Sequence, residues 1–121
     1  MKSKHIQEVE VTILNDQYKV YLFICDEEYI RKYVLGYFGD DFDFSSVNTQ
    51  QQGLTFYRWG LHPVIWIRKG VKVKYSVLAH EAVHAINFIW EYIKEETKDE
   101  VYAHSIEAIV RALETIKLTR K

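Results

Sequence analysis

Apolar and polar residues alternate along the N-terminal part of the chain, a pattern typical of half-buried strands. Apolar residues recur at every second position over 9–13 and again over 18–24. Between the two series, Asn15-Asp16 is a signal for a two-residue turn. The pattern therefore predicts a β-hairpin over residues 8–25.

A helix is predicted directly after this hairpin. Asp26 is a favourable N-cap, and Glu27 and Glu28 complement the positive end of the helix dipole. The helix is expected to end near Gly36 or Gly39. Its apolar face is predicted to consist of Ile30, Tyr33, Val34 and Tyr37.

The middle of the chain predicts a polar loop followed by two strands. Residues 39–53 are polar, and a loop of this length can serve as a lid over a functional site. Residues 54–59 and 64–68 are rich in β-branched and aromatic side chains and flank a turn. Pro63 cannot donate a ladder hydrogen bond, which favours an edge position for the second strand. Such an edge is either a simple sheet margin or a place where an extended peptide can add by main-chain hydrogen bonds.

The next segment has the 3–4 spacing of an amphipathic helix, predicted from about Val77 to Glu95 with Ser76 as N-cap. A polar stripe runs along the side opposite the apolar one, with Glu81 beside it. The polar stripe contains His80, His84, Asn87 and Glu91. The apolar stripe contains Leu78, Ala82, Ala85, Ile86, Ile89 and Ile93. One face is thus suited to a core and the other to a site.

His80-Glu81-Ala82-Val83-His84 is an H-E-x-x-H motif on this helix. His80 and His84 lie one turn apart on one face, so both imidazoles can bind one Zn²⁺, which prefers four tetrahedral ligands. Glu81 lies about 100° round the helix, where it misses the metal but can act as general base on a zinc-activated water. The alternative is an ordinary helix with two satisfied or exposed histidines and a solvated glutamate.

A last helix is predicted from about Lys98 to Lys117. Its apolar stripe consists of Tyr102, Ile106, Ile109, Leu113 and Ile116. A second stripe on the other side consists of Glu100, His104, Glu107 and Arg111. Small apolar residues border this second stripe, which predicts that it faces the inside of the fold.

A catalytic zinc needs a third protein ligand, and Glu100, His104 and Glu107 are the candidates. Thr97-Lys-Asp-Glu100 also matches a capping box, which would explain Glu100 without a metal.

Composition narrows the class of protein. With 121 residues, of which 48% are hydrophobic, the chain is long enough for one domain with a real core. A net charge of -1 with interspersed signs argues against nucleic acid as the main partner. Cys25 is the only cysteine, which excludes intrachain disulfides and cysteine-based zinc sites and predicts a buried, inert thiol. No segment has the apolar length of a signal peptide core or a membrane span, so we expect a cytoplasmic protein that does not bind membranes.

His80-Glu-Ala-Val-His84, followed by Asp99-Glu-Val-Tyr-Ala103, resembles the gluzincins, the thermolysin-like zinc metallopeptidases. More closely, the two motifs are similar to those of small, single-domain, often phage-encoded zincin-like proteins. The resemblance covers residues 54–115. It implies an α+β fold with a small twisted antiparallel or mixed sheet, an H-E-x-x-H helix and a C-terminal helix carrying the third ligand. It also implies His80, His84 and Glu100 as zinc ligands and Glu81 as general base.

The chain departs from the gluzincin pattern at one position. His104 stands where that pattern has a carboxylate that orients a ligand histidine, and Glu107, Asn87 or Glu91 are the available substitutes. His104, deeper in the helix, is itself also a candidate to orient a ligand or to polarise the substrate. Tyr102 and Tyr57 are further candidates to donate to the developing oxyanion.

Together these features predict a zinc-dependent metallopeptidase that hydrolyses peptide bonds of a peptide or protein substrate. One alternative is a non-catalytic zincin-fold protein that binds or modulates a host partner. Another is a structural zinc site with a fourth side-chain ligand such as Glu107. The sequence leaves the substrate and the oligomeric state open.

Overall fold

The computed structural model describes residues 7–13, 18–44, 47, 50–58, 60–72, 74–93 and 99–119. Within these ranges, the side chains of residues 7, 90, 92, 93, 99–102, 113 and 115–119 lie outside the description. The described elements follow one another as β1 (Gln7–Ile13), β2 (Tyr18–Cys25), α1 (Glu27–Phe38), β3 (Gly53–Phe56), β4 (Val64–Arg68), α2 (Lys74–Ile93) and α3 (Asp99–Thr119).

The four strands form one mixed sheet in the order β1-β2-β4-β3. β1 and β2 pair antiparallel, which confirms the predicted hairpin, although its turn residues Asn15 and Asp16 lie outside the described part. β2 and β4 pair in parallel, and β3 and β4 pair antiparallel. The chain is therefore an α+β protein with a mixed sheet, as the sequence predicts.

The prediction that β4 is an edge strand is wrong, because β4 lies between β2 and β3. Pro63 stands just before the first paired residue, Val64, so its missing N–H costs no ladder bond. Its carbonyl accepts a hydrogen bond from the Tyr21 N–H at 3.1 Å and so starts the parallel pairing. The strand at the margin is β3 instead.

Helices cover both faces of the sheet. One buried cluster joins the sheet to α1, and a second joins it to α2 and α3. The alternation along β2 divides the strand between them: Phe23 and Cys25 face α1, whereas Leu22 and Ile24 face α2 and α3. On that second face, α2 lies over β3 and β4, and α3 lies over β1. This layering places the H-E-x-x-H motif beside the β3 margin.

The ends of α1 agree with the sequence prediction. The Asp26 carboxylate accepts a hydrogen bond from the Tyr29 N–H at 2.9 Å, as an N-cap should. Gly39, with φ of 118°, ends the helix, and its N–H donates to the Leu35 carbonyl. The buried face is Ile30, Val34 and Phe38, while Tyr33 and Tyr37 are half-buried.

Both of the other helices differ from prediction in one respect. α2 begins at Lys74, so Ser76 lies within its first turn and is not the N-cap. The polar stripe of α3 was expected to face inward, but His104, Glu107 and Arg111 are exposed. The helix instead buries Ser105, Ile109 and Ala112. His104 and Arg111 both contact the Glu107 carboxylate, so these three side chains partner one another at the surface.

Cys25 is buried and free, as expected. Among the described residues, no helix is both long and apolar enough to cross a membrane.

Candidate metal centre

The two motif histidines point toward each other from one exposed face of α2. Their Nε2 atoms are 3.4 Å apart. Two nitrogen ligands on a tetrahedral zinc, each bonded at about 2.0–2.1 Å, lie about 3.3–3.4 Å apart. The pair therefore has the separation that a shared zinc requires. The same distance also allows one imidazole to donate a weak hydrogen bond to the other.

Glu81, between these histidines, is buried rather than solvated, with 7% of its surface exposed. The Thr55 hydroxyl lies 2.7 Å from its carboxylate Oε1 and 2.9 Å from its main-chain carbonyl. Because a hydroxyl carries one proton, Thr55 donates to one of these oxygens at a time. Either bond ties Glu81 to β3 and holds the carboxylate on the side of α2 that faces the sheet margin.

Gly53 permits this close approach of helix and strand. A Cβ at that position would lie 2.5 Å from Val77 Cγ1 and 3.0 Å from the Trp66 carbonyl oxygen. The same Cβ would stand 3.6 Å from Glu81 Cγ. A side chain here would push α2 away from β3. Sequence reasoning missed both Gly53 and Thr55; a threonine on the inward-facing side of a strand was the available signal for the latter.

The free margin of β3, which pairs with no other strand of the described residues, presents main-chain groups beside Glu81. The Arg68 N–H donates to the Gln52 carbonyl at 2.9 Å, so Gln52 belongs to a hydrogen-bonded pair with β4. Antiparallel pairs alternate, so Leu54 also turns its main-chain groups toward β4. Gly53 and Thr55 then turn their N–H and C=O groups toward the open side. The two residues that touch the motif helix are thus also those able to pair with an added strand.

An open cleft of about 460 Å³ lies against the first histidine and the glutamate. It is lined by Gln50, Gln52, Gly53, Ser76, Val77, His80 and Glu81. The end of the polar loop that was predicted as a lid thus contributes two glutamines to the cleft wall. Their amides give this part of the cleft a polar, uncharged surface.

The third ligand remains a prediction. Glu100 belongs to the first turn of α3, but its side chain lies outside the described part of the chain. Among the described side chains, no His, Cys, Asp or Glu joins His80 and His84 in a group of three that could hold a metal. The alternatives His104 and Glu107 are thus not brought to the histidine pair here.

The remaining candidates occupy different places. Tyr57 is 48% exposed and stacks on Phe88 of α2, with ring centroids 4.8 Å apart. Tyr57 therefore stands at the far end of β3, beside Phe88, which lies one helical turn beyond His84 on α2. Asn87 and Glu91 are exposed along the same side of α2 as the histidines. Tyr102 has its side chain outside the described part.

Comparison of this chain with models of protein families, with curated proteins and with solved structures found no match.

Proposed function

We propose that this protein is a zinc-dependent hydrolase of peptide bonds. One observation supports this function most directly. His80 and His84 bring their Nε2 atoms to within 3.4 Å of each other, beside a buried glutamate held at the sheet margin. Buried carboxylates are costly unless they are hydrogen-bonded, and they concentrate at sites that use them.

His80 and His84 would hold the zinc, and Glu100 is proposed as the third ligand. Imidazole nitrogen and carboxylate oxygen are both ordinary zinc ligands, and three protein ligands leave a fourth position open. Zinc, when bound, acts as a Lewis acid toward a carbonyl and lowers the pKa of water to about 7. A cytoplasmic setting, in which the single thiol of Cys25 would stay reduced, is also part of what we propose.

Glu81 would move the proton in this reaction. As the water oxygen bonds to the peptide carbonyl carbon, Glu81 takes a water proton. It then gives that proton to the amide nitrogen as the C–N bond breaks, leaving a carboxylic acid and an amine. The Thr55 hydroxyl, 2.7 Å from Oε1, fixes one carboxylate oxygen, so the other oxygen is left for the water.

The free margin of β3 would bind the substrate as an added strand. The outward main-chain groups of Gly53 and Thr55 are placed to pair with an extended peptide. Because Thr55 also holds Glu81, pairing would bring the peptide carbonyls alongside the general base. The strand and the base are thus positioned by one residue.

Metal content and turnover, measured on the same preparations, test this proposal. We expect about one zinc per wild-type chain purified without a metal-affinity tag, and a marked loss in Glu100→Ala. Glu114→Ala, an exposed glutamate on the same helix, is the matched control and should keep its zinc. Glu81→Gln should keep the zinc and lose turnover of a labelled casein by a factor of about 10²–10⁴.

Other outcomes would change the assignment in defined ways. Zinc retained by Glu100→Ala would reject Glu100 as a ligand, and Glu107→Ala would then be measured. Full turnover by Glu81→Gln would reject Glu81 as the base. Wild-type protein without zinc, even after zinc is added, would reject the hydrolase.

A non-catalytic binding protein is the second candidate. The 3.4 Å separation of Nε2 atoms also fits a direct contact between imidazoles, which needs no metal. In that case the β3 margin and the cleft would bind a polypeptide without cleaving it. Saturable peptide binding with no zinc and no cleavage would favour this function.

A further inference from the structure

The two ends of the β3 margin differ in chemistry, and this difference points to a substrate class. We infer that the β3 margin selects an extended polypeptide with a large aromatic or apolar residue on one side and acidic residues on the other. This selection rests on the proposed peptide binding at the same margin. The inference rests on one arrangement: a basic cavity lies at the start of β3 and an aromatic pair at its end. The histidines and Glu81 lie between them.

A basic cavity adjoins the cleft at the start of β3. It has a volume of about 550 Å³ and shares Gln50 and Gln52 with the cleft beside His80. Arg68, Lys69 and Lys72 also line it. The whole chain has a net charge of -1, so this concentration of positive charge is local.

The two lysines carry most of the available charge at that end. Arg68 is partly neutralised by Glu27, whose carboxylate lies 3.4 Å from its guanidinium. Lys69 and Lys72 are exposed, and neither forms an ion pair with a described carboxylate. α2 starts two residues beyond Lys72, so its positive dipole end adds to the field. The cavity thus suits acidic side chains or a terminal carboxylate.

The opposite end of the margin is aromatic. Tyr57 and Phe88 stack there, and Phe88 also lines a cavity of about 410 Å³. That cavity continues along Leu61, His62 and Pro63. Burial, assisted by the charge of Lys19, lowers the pKa of His62 below its ordinary value. A large apolar side chain would bury the exposed half of Tyr57.

The geometry sets the spacing and direction of the segment. Gln52, at the basic end, and Tyr57 are five positions apart along an extended strand of about 3.3 Å per residue. The aromatic and acidic residues of the ligand should therefore be separated by about four residues. Antiparallel addition is the more stable pairing, and it places the aromatic residue N-terminal to the acidic ones.

Binding to zinc-supplemented Glu81→Gln protein tests this selection without cleavage. The probe is a fluorescein-labelled peptide with a tryptophan, four threonines and two glutamates in that order, followed by fluorescence anisotropy. The comparison peptides have the reversed order, or lysines in place of the glutamates. We expect the first peptide to bind at least about tenfold more tightly than either comparison at low ionic strength.

Matched variants assign this preference to the two ends. In that background, Lys72→Glu should weaken binding about fivefold or more, and Lys69→Glu/Lys72→Glu further, with the loss shrinking at high salt. Lys32→Glu, an exposed lysine on α1, makes the same charge change and should have no effect. Tyr57→Ala should weaken binding about fivefold to tenfold, whereas Tyr75→Ala, another exposed tyrosine, should not.

Each outcome bears separately on selection and on hydrolysis. Equal binding of all three peptides, tighter binding of the reversed peptide, or no binding would overturn the inferred selection. Equal losses of affinity in Lys72→Glu and Lys32→Glu, or in Tyr57→Ala and Tyr75→Ala, would overturn it as well. Selective binding by a wild-type protein that cleaves none of the peptides would support the selection and reject hydrolysis. Casein cleavage without the expected binding preference would support hydrolysis and reject the selection.

Discussion

At the scale of single residues, the contact between Thr55 and Glu81 defines the candidate site most sharply. Both side chains are buried, and the hydroxyl lies 2.7 Å from the carboxylate. A hydrogen bond to a charged group contributes about 1.5–3 kcal/mol, more than most surface contacts. Thr55 is therefore proposed as a positioning residue, which acts through Glu81 rather than on the substrate.

Thr55→Val should preserve the shape of this contact and remove its donor. We expect unchanged zinc content and KM, but a kcat for labelled casein lowered about tenfold or more, because the carboxylate loses its orientation. Thr55→Ser keeps a hydroxyl and should recover most of the kcat. A kcat equally low in both variants, or unchanged in Thr55→Val, would contradict the positioning role.

Cys25 provides a second prediction at the residue scale. Burial is the largest cause that raises the pKa of its thiol, to about 12. The reactive thiolate is therefore scarce at pH 8, and the side chain is also shielded. Iodoacetamide should leave the native protein unmodified by mass spectrometry at pH 8, but modify it fully in guanidinium chloride. Rapid modification of the native protein would show that Cys25 is accessible.

At the scale of elements, the site depends on how closely α2 approaches β3. Gly53 permits this approach because it has no side chain: an added Cβ would stand 2.5 Å from Val77 Cγ1. The helix supplies the histidines and Glu81, and the strand supplies Thr55 and the free margin. The distance between α2 and β3 therefore decides whether these residues form one site.

Gly53→Ala should force these two elements apart. We expect a loss of about 1–3 kcal/mol in the free energy of unfolding by urea, typical of overpacking, together with reduced turnover. Gly36→Ala is the matched control, because its added Cβ would meet nothing within 4 Å. In the interior of α1 this change should stabilise by about 0.5–1 kcal/mol. Equal effects of both changes would argue against a tight contact at Gly53.

At the scale of the whole molecule, a buried thiol and a half-buried phenol predict loss of stability in alkali. The ordinary pKa is 9.0 for the thiol of Cys25 and 10.0 for the phenol of Tyr33, and burial is the first cause that raises each to about 12 in the fold. A raised folded pKa means that the stability is fully present below the unfolded pKa. It is then lost as pH rises toward the folded value.

The free energy of unfolding should therefore fall between about pH 9 and pH 12. The buried thiol adds a slope of up to about 1.4 kcal/mol per pH unit, and the half-buried phenol adds less because solvent screens it. Cys25→Ala should flatten the part of the fall that begins near pH 9, and Tyr33→Phe the part that begins near pH 10. Urea unfolding at several pH values measures both. A flat profile for the wild type would contradict the burial of these groups.

Local patterns were sufficient for most of the elements. The hairpin, α1 with its Asp26 cap, the two following strands and the two long helices all follow from alternation, helical spacing and turn residues. The separation of the α2 surface into a buried stripe and an exposed histidine stripe also follows from spacing alone. These properties depend on neighbours within about one helical turn or one strand.

Long-range packing decided what the sequence could not. The parallel pairing of β2 with β4 moved β4 from the expected margin to the interior and left β3 open. The orientation of α3 turned His104 toward solvent, because the helix buries Ser105, Ile109 and Ala112 instead. The partnership of Thr55 with Glu81 joins residues 26 positions apart. Residues so distant in sequence meet only through the packing of whole elements, which a local pattern does not encode.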